Sequence, residues 1–409
     1  MGSNVKRYSI IGAGLAGGVL ANALSRNERV DVQVYESALE FSEPRDIIEL
    51  SHLSLKALEG IIPSVVEALK AKAGASVMDE AHVVLGSGPE TGVLIRDLGI
   101  RGMVMDRPLL HQTLLSPLAK ENFHAGRKLI SVEQTASGVV KLEFENGEMA
   151  ECDVVIGADG TFSRVRDYIL QQDAKTHAAH PAGWWECITS VPFELAKAAL
   201  ENEAVDMDRE YQWMGDGIYM MQAPSEDRTH VLCVAVLIEK WTPLERKTIV
   251  MKDDLKDRLA ADQFEHPAAK AIAKLMLNTD NLEAYSHWEH KITPSYARGR
   301  VCVVGDAAHT TSLWQGAGGA MALEDAFILG TLLGGVESAN DVNDIFKTFD
   351  TVRRPRCQRI IDTSRETGEL CCRANAEAST EQLGDTLSDL SAHIDAFDEL
   401  YKLKQFQLQ

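Results

Sequence analysis

The chain has 409 residues, enough for two cores or for one large α/β core carrying an inserted sheet. Apolar residues make up 45%, an ordinary level for a globular protein, and the formal net charge is −20. So acidic a surface argues against nucleic acid and anionic membrane as partners, though not against a small anion held by a local field.

In chain order, residues 7–11 read as a buried strand, 13–25 as a helix and 30–35 as a second strand, a βαβ opening. Helical patterns follow over 51–73 and 107–118. A strand-rich stretch over 128–144 ends in Asn146-Gly147, a dipeptide that tolerates positive φ at both positions and so favours a hairpin. Residues 153–156 form another short buried strand. From 184 to about 236 the pattern alternates like antiparallel sheet, rich in Trp184, Trp185, Tyr211, Trp213, Tyr219, Met220 and Met221. Residues 242–277 look helical, 300–304 read as a buried strand, and 317–333 as an almost wholly apolar helix. The remainder, from about 341, is helical and polar. The nucleotide-type core is thus discontinuous, with a sheet inserted in it.

The stretch 316–335 comes nearest to a membrane span, but Glu324 and Asp325 interrupt it. The apolar start is crowded by Gly12, Gly14, Gly17 and Gly18, and no signal cleavage site is evident there. The seven cysteines form no CxxC pair, and their odd number argues against a disulfide framework. The expected location is cytoplasmic.

Three segments carry the chemistry. Residues 10–17 read Ile-Ile-Gly-Ala-Gly-Leu-Ala-Gly. Gly12 makes the tight turn, Gly14 lets backbone approach a pyrophosphate, and Gly17 permits close helix–strand packing. Ala16 lies within the same turn. Glu36 closes the second strand, where its carboxylate can accept ribose hydroxyls. This motif predicts a dinucleotide without choosing between FAD and NAD. The second segment, 153–166, runs from a short strand into Gly-Ala-Asp-Gly, with Asp159 and Gly160 at the turn and Arg166 one helical turn on. The third, 300–325, delivers Asp306 from a buried strand, then opens a long helix through Gly316, Ala317, Gly318 and Gly319. Asp306 can bond a ribityl hydroxyl, and a helix N-terminus at that point would stabilise a reduced, anionic flavin.

In this order and spacing the three segments resemble the group A FAD-dependent aromatic hydroxylases, the para-hydroxybenzoate hydroxylase class. The run 305–309, with Gln315-Gly316-Ala317-Gly318 and Glu324-Asp325, is most similar to the salicylate-hydroxylase-like branch. The resemblance implies a Rossmann-like α/β FAD-binding domain over 1–180 and 286–409, the latter with C-terminal helices. An inserted antiparallel sheet over 181–285 would form the substrate domain, with 75–105 assignable to either unit. It implies that Arg107, in Met-Asp-Arg-Pro-Leu-Leu, reaches the flavin, and it makes Arg45 a candidate beside the pyrophosphate. Arg353-Arg354-Pro355-Arg356 also matches a family pattern.

The activity so implied is monooxygenation. NADPH or NADH reduces FAD transiently, O2 adds to give a flavin C4a-hydroperoxide, and an aromatic or heteroaromatic small molecule is hydroxylated. Alternatives are an epoxidase or tailoring oxygenase on a larger natural product, or a flavin reductase without oxygen insertion. Only one GxGxxG is present, so no separate nicotinamide domain is expected. No histidine pair has HxH or HxxxH spacing, and no metal is expected. Neither stable membrane insertion nor nucleic-acid binding is expected, and the protein would be a monomer or homodimer. The family proline four residues after the histidine is Leu313 here, followed by Trp314, which points to a reshaped pocket. Substrate-binding candidates are Trp185, Tyr211, Trp213, Tyr219, Met221, Leu313 and Trp314. Catalytic candidates are His287 and Tyr219, the histidine as a base for a phenol or ring N–H.

Overall fold

The computed structural model describes residues 5–39, 47–71, 76–77, 81–98, 102–115, 119–203, 205–225, 227–238, 247–249, 259, 264–279, 282–335, 341–372 and 379–394. The first part of the chain forms β1 (Lys6–Ile11), α1 (Leu15–Ser25), β2 (Val30–Tyr35), β3 (Ile47–Ser51), α2 (His52–Ile61), α3 (Val65–Ala71), β4 (Ser76–Val77), β5 (Ala81–Leu85), β6 (Leu94–Leu98), β7 (Gly102–Asp106) and α4 (Arg107–Leu115). Next come β8 (Phe123–His124), β9 (Leu129–Gln134), β10 (Val140–Phe144), β11 (Met149–Cys152), β12 (Val154–Gly157) and α5 (Arg164–Leu170). The middle contains β13 (His180–Pro192), α6 (Phe193–Ala199), β14 (Glu210–Met214), β15 (Ile218–Pro224), β16 (His230–Ile238), β17 (Lys247–Ile249), α7 (Pro267–Asn278) and β18 (Glu283–Glu289). The chain returns through β19 (Ala297–Arg298), β20 (Val301–Val303), α8 (Asp306–His309), α9 (Gly318–Gly334), α10 (Val342–Cys371) and α11 (Thr380–Ala392).

The fold is α/β: a Rossmann-like layer, an inserted β-sheet layer and C-terminal helices. The first sheet has the order β19-β20-β12-β1-β2-β8 and is parallel except at β19. Its central strands β1, β12 and β20 are buried on both faces, as parallel strands flanked by helices must be, while β2, β8 and β19 at the sides are half-buried or partly exposed. Ile10, Val155, Ile156 and Val303 are fully buried there, packed with α1 and α9. The second large sheet has the order β17-β18-β13-β16-β15-β14-β5-β6. Among the described residues no helix is long and apolar enough to cross a membrane.

Several local expectations change. The helix read over 51–73 is two helices, broken after Ile61 where Ser64 adopts φ 64°. Of the helix expected over 242–277, the described part is α7, whose N-cap His266 accepts from the Ala268 N–H at 3.2 Å; residues 242–246, 250–258 and 260–263 lie outside the described residues. Proline suits the first helical turn, where its missing N–H leaves no orphan. Upstream of it, Lys247–Ile249 pairs as a strand with β18. The inserted sheet is mixed rather than purely antiparallel, because β14 runs parallel to β5. The Asn146-Gly147 hairpin forms between β10 and β11, with Gly147 at φ 84°. All seven cysteines are buried and free.

Candidate functional site

The three sequence motifs meet because β1, β12 and β20 are adjacent parallel strands. Their C-terminal ends therefore open on one edge of the sheet, the usual ligand edge of such folds. Gly12 has φ 99°, and a Cβ on it would stand 2.2 Å from the Ala158 carbonyl oxygen. Only glycine lets the first loop lie that close to the second. A Cβ on Gly17 would stand 2.0 Å from the Gly12 carbonyl oxygen, so α1 can start only where it does. Gly14 caps α1 with no side-chain hydrogen bond, and no acidic residue sits in the first turn. The helix thus presents bare N–H groups and the positive end of its dipole, a ready anion site. Glu36 accepts the Ala13 N–H through Oε2 at 2.8 Å and the Ala38 N–H through Oε1 at 2.9 Å. That pins the acid beside the glycine loop.

Asp159 sits at the mouth of the second loop. It accepts from Ser163 Oγ at 2.5 Å, the Arg164 N–H at 2.7 Å and the Val165 N–H at 3.2 Å, and so caps α5. Burial pushes its carboxyl up, against these donors. Gly160 has φ 75°, and a Cβ there would meet nothing within 4 Å, which leaves open space beside the loop. Arg166 points inward. It donates to the Ala308 carbonyl at 2.9 Å and to Thr293 Oγ1 at 2.9 Å, tying the second motif to the third. Burial pulls its guanidinium down to about 10, still charged at neutral pH.

The third loop turns at Gly305, φ 58°, where a Cβ would stand 2.8 Å from Ala16 Cβ on α1. This close approach explains the small residue at 16 and places Asp306 next to the start of α1. Gly316, φ 59°, ends a single 3-10 turn over Leu313–Gln315. Ala317 then caps α9 with no side-chain bond and no acid in its first turn. Gly319 packs near Ile48 and Leu15. Two uncapped helix N-termini therefore flank the same edge. Arg107 opens α4, one turn before His111, whose Nε2 touches the Ala13 carbonyl. Residues four apart share a helix face, so Arg107 lies on the face turned to the glycine loop. Arg45 lies outside the described residues.

Behind the third loop is a buried ion network that sequence reading did not assign. Asp325 on α9 accepts the Gly305 N–H at 2.9 Å, His309 Nε2 at 2.6 Å and Arg353 Nε at 2.7 Å. Glu324 accepts Arg353 Nη1 at 2.6 Å and Arg356 Nη2 at 2.8 Å. Burial alone would neutralise His309, but Cys357 and Asp325 outweigh it and hold the ring well above its usual range. Burial likewise works against the Asp325 carboxylate, yet His309 and Arg353 hold it below its usual range. Ligand atoms of His309, Asp325 and Cys357 lie within 4.8 Å of one another. The Arg353 cation already occupies this site electrostatically, so the cluster reads as an ion pair rather than a metal centre.

The substrate candidates divide between the two faces of the inserted sheet. Side chains alternate along a strand, so Trp184 and Trp185 must point oppositely. Trp185, Tyr211 and Trp213 face α6 and α7 in a closed core. Tyr211 stacks on Trp213 at 5.4 Å, and Trp213 tilts against His266 at 4.7 Å. These three do not share the face of Tyr219, Met221 and Trp314. Tyr219 and Met221 lie on the opposite face with Trp184 and Trp314. Trp314 stands edge-on to Trp184 at 5.6 Å, to Tyr219 at 5.2 Å and to His287 at 6.4 Å. Leu313 beside it is 41% exposed. Sequence reading missed Trp184, as well as Glu186, Glu289 and Arg365 around it.

His287 is buried, and neither ring nitrogen has a hydrogen-bond partner; the Trp314 indole nitrogen is also unpartnered. An unpaired buried polar group costs about 1–3 kcal/mol, a cost that a partner reaching this face would remove.

The FAD binding domain family matches residues 109–364 of the chain. The chain is 29% identical over 389 residues to 6-methylsalicylate 1-monooxygenase of Aspergillus terreus, covering 90% of this chain and 84% of that protein. It is 30% identical over 385 residues to an FAD-dependent monooxygenase of Monascus ruber, covering 88% and 86%. Its fold is similar to that of a salicylate hydroxylase solved as a substrate complex, with TM-score 0.81 and 21% identity over 97% of this chain and 95% of the other.

Proposed function

The chain belongs to the FAD binding domain family of group A flavin monooxygenases, and on that premise we propose that it hydroxylates a small aromatic or heteroaromatic compound with O2 and NADPH or NADH. The observation that carries this reading is the meeting of three glycine-bearing loops and two uncapped helix starts on one sheet edge. The loops are too tight for side chains where a dinucleotide backbone must come close, and open at Gly160. They fit FAD.

In this reading the α1 N-terminus and the loop from Gly12 to Gly17 hold the pyrophosphate, with Ala16 leaving room for Asp306. Glu36 takes the ribose hydroxyls and Asp306 the ribityl chain. Gly316, Ala317, Gly318 and Gly319 supply amide donors to the anionic edge of the ring system. Arg107 approaches the cofactor from the start of α4, and Arg45 is the further arginine assigned to the pyrophosphate by sequence alone. Asp159 and Gly160 shape the second loop. Residues 1–180 and 286–409 form the FAD-binding unit, and 181–285 the substrate unit. When bound, FAD supplies electron transfer from nicotinamide and activation of O2. The chain's own tasks are orientation, water exclusion and placement of the aromatic ring against the Trp314 face.

The test is direct. Purified protein should be yellow and release FAD on denaturation. Under air, a phenolic or heteroaromatic compound should stimulate NAD(P)H loss, and the product should gain one oxygen atom. Tightly bound NAD without flavin, or full turnover in the absence of O2, would overturn the reading.

A further inference from the structure

The sheet face turned to Trp314 is apolar along Met214, Tyr219, Met221, Val234 and Val236. Two ionisable groups break it. Glu186 on β13 and His287 on β18 lie with Oε2 and Nε2 3.6 Å apart, too far for a hydrogen bond and close enough for one charge to be felt by the other. His287 is 4% exposed with both nitrogens unpartnered, and the Trp314 indole N–H lies in the same cluster without an acceptor. Buried donors and acceptors in native proteins are almost always paired, so these three nitrogens, gathered on one face, are open to a ligand group.

The charge around this cluster limits what that group can be. Arg365 stands over the Trp184 ring, 5.5 Å from its centroid. It is already committed: Nε donates to Glu289 at 2.8 Å, Nη2 meets the same oxygen, and Nη1 lies 3.9 Å from Glu369. His180 also faces Glu289, at 3.4 Å. Glu186 has no such cation; His287 is its one ionic neighbour among the described residues. A carboxylate arriving here would meet a like charge in a poorly solvated place, which is strongly unfavourable.

Resting on the function proposed above, we infer that the substrate is an uncharged hydrogen-bond donor, a phenol or a ring N–H, seated against Glu186, His287 and Trp314, and that a benzoate-type carboxylate is rejected there. A phenolic O–H bonded to His287 can pass its proton to the imidazole: the O–H bond breaks, an N–H bond forms, and the ring oxygen keeps the electron pair. Glu186 then balances the imidazolium, while the Trp314 N–H can donate to the phenolate. An electron-rich phenolate is what an electrophilic oxygen donor requires.

Isothermal titration calorimetry with 3-methylphenol and 2-hydroxy-6-methylbenzoate tests this, since the two probes differ by one carboxylate. The wild-type holoenzyme should bind the phenol at least about tenfold more tightly. Glu186→Gln should tighten the benzoate and shrink that ratio to about threefold or less. His287→Gln should weaken the phenol about fivefold or more with flavin content and melting temperature unchanged. A benzoate that binds as tightly as the phenol, a ratio untouched by Glu186→Gln, or no heat from either probe would overturn the inference. Flavin content, read from absorbance before titration, reports separately on the underlying function. A colourless protein would sink that reading, whereas a yellow one with the wrong ligand preference would sink only this one.

Discussion

At the scale of single residues, Arg353 shows how an ion pair can fix a loop. It is fully buried between Glu324 and Asp325, and Asp325 in turn holds the amide of Gly305. Removing one partner of such a network leaves uncompensated buried charge, worth about 3–5 kcal/mol. Arg353→Ala is expected to lower unfolding stability by about that amount. Arg354 pairs with Asp350 from a third-exposed position, and Arg354→Ala should cost about 1 kcal/mol or less. Urea denaturation of both variants measures the contrast, and equal losses would refute the buried network as the stabilising element.

The same network sets a pH dependence. His309 titrates higher in the folded chain than in the unfolded one, so its contribution is complete below the unfolded pKa of 6.5 and is lost as pH rises through the folded value. His290 behaves oppositely. Burial first, then Arg166 and His309, push it down to about 2, so the unfolded chain takes up a proton that the folded one refuses. Stability should therefore fall as pH drops below 6.5. The profile should peak near the ordinary histidine pKa, with His309→Asn flattening the alkaline limb and His290→Asn the acid limb. Urea midpoints at about pH 5, 6.5 and 8.5 would show it.

Among the elements, α10 does more than close the core. Gly368 faces Trp314: a Cβ there would stand 2.2 Å from the indole nitrogen. Alanine favours a helix over glycine by about 1 kcal/mol, so Gly368→Ala should not weaken α10 itself. It should instead displace the Trp314 ring from Trp184 and Tyr219. The expected result is retained FAD, changed tryptophan emission and altered aromatic-ligand affinity; unchanged emission and affinity would dismiss the contact.

This pairing was not legible in the sequence, and the reason is physical. Gly12, Gly17 and Gly305 can be read because a positive φ or a backbone clash demands glycine within a local strand–turn–helix pattern. Gly368 answers to a side chain 54 residues away (368 against 314), in a helix whose own periodicity looks undisturbed. The inserted sheet was legible as sheet, yet not by face. Trp184 and Trp185 are equally apolar, and only the packing of α6 and α7 decides which of them belongs to the closed core. Glu324, Asp325 and Arg353 stood out as a family pattern, while their meeting required two helices to cross. His287 was a candidate as a lone histidine; Glu186, its neighbour, sits on another strand and gave no signal.

For the whole molecule, the field and the site oppose each other. The chain carries a formal charge of −20, so an anionic dinucleotide is repelled at long range. The bare N-terminus of α1 attracts it, but such an attraction decays within about one turn. Screening shortens the long-range term and leaves the short-range one. Between about 0.01 M and 0.15 M ionic strength the Debye length falls from about 30 Å to about 8 Å. Association of FAD with flavin-stripped protein should therefore speed up severalfold over that range, with dissociation nearly constant. Stopped-flow quenching of flavin fluorescence measures both rates. An association rate that falls as salt rises would mean that the cationic groups near the loops, Arg107 among them, project their field past the acidic surface, and the site would then be steering its cofactor rather than merely tolerating it.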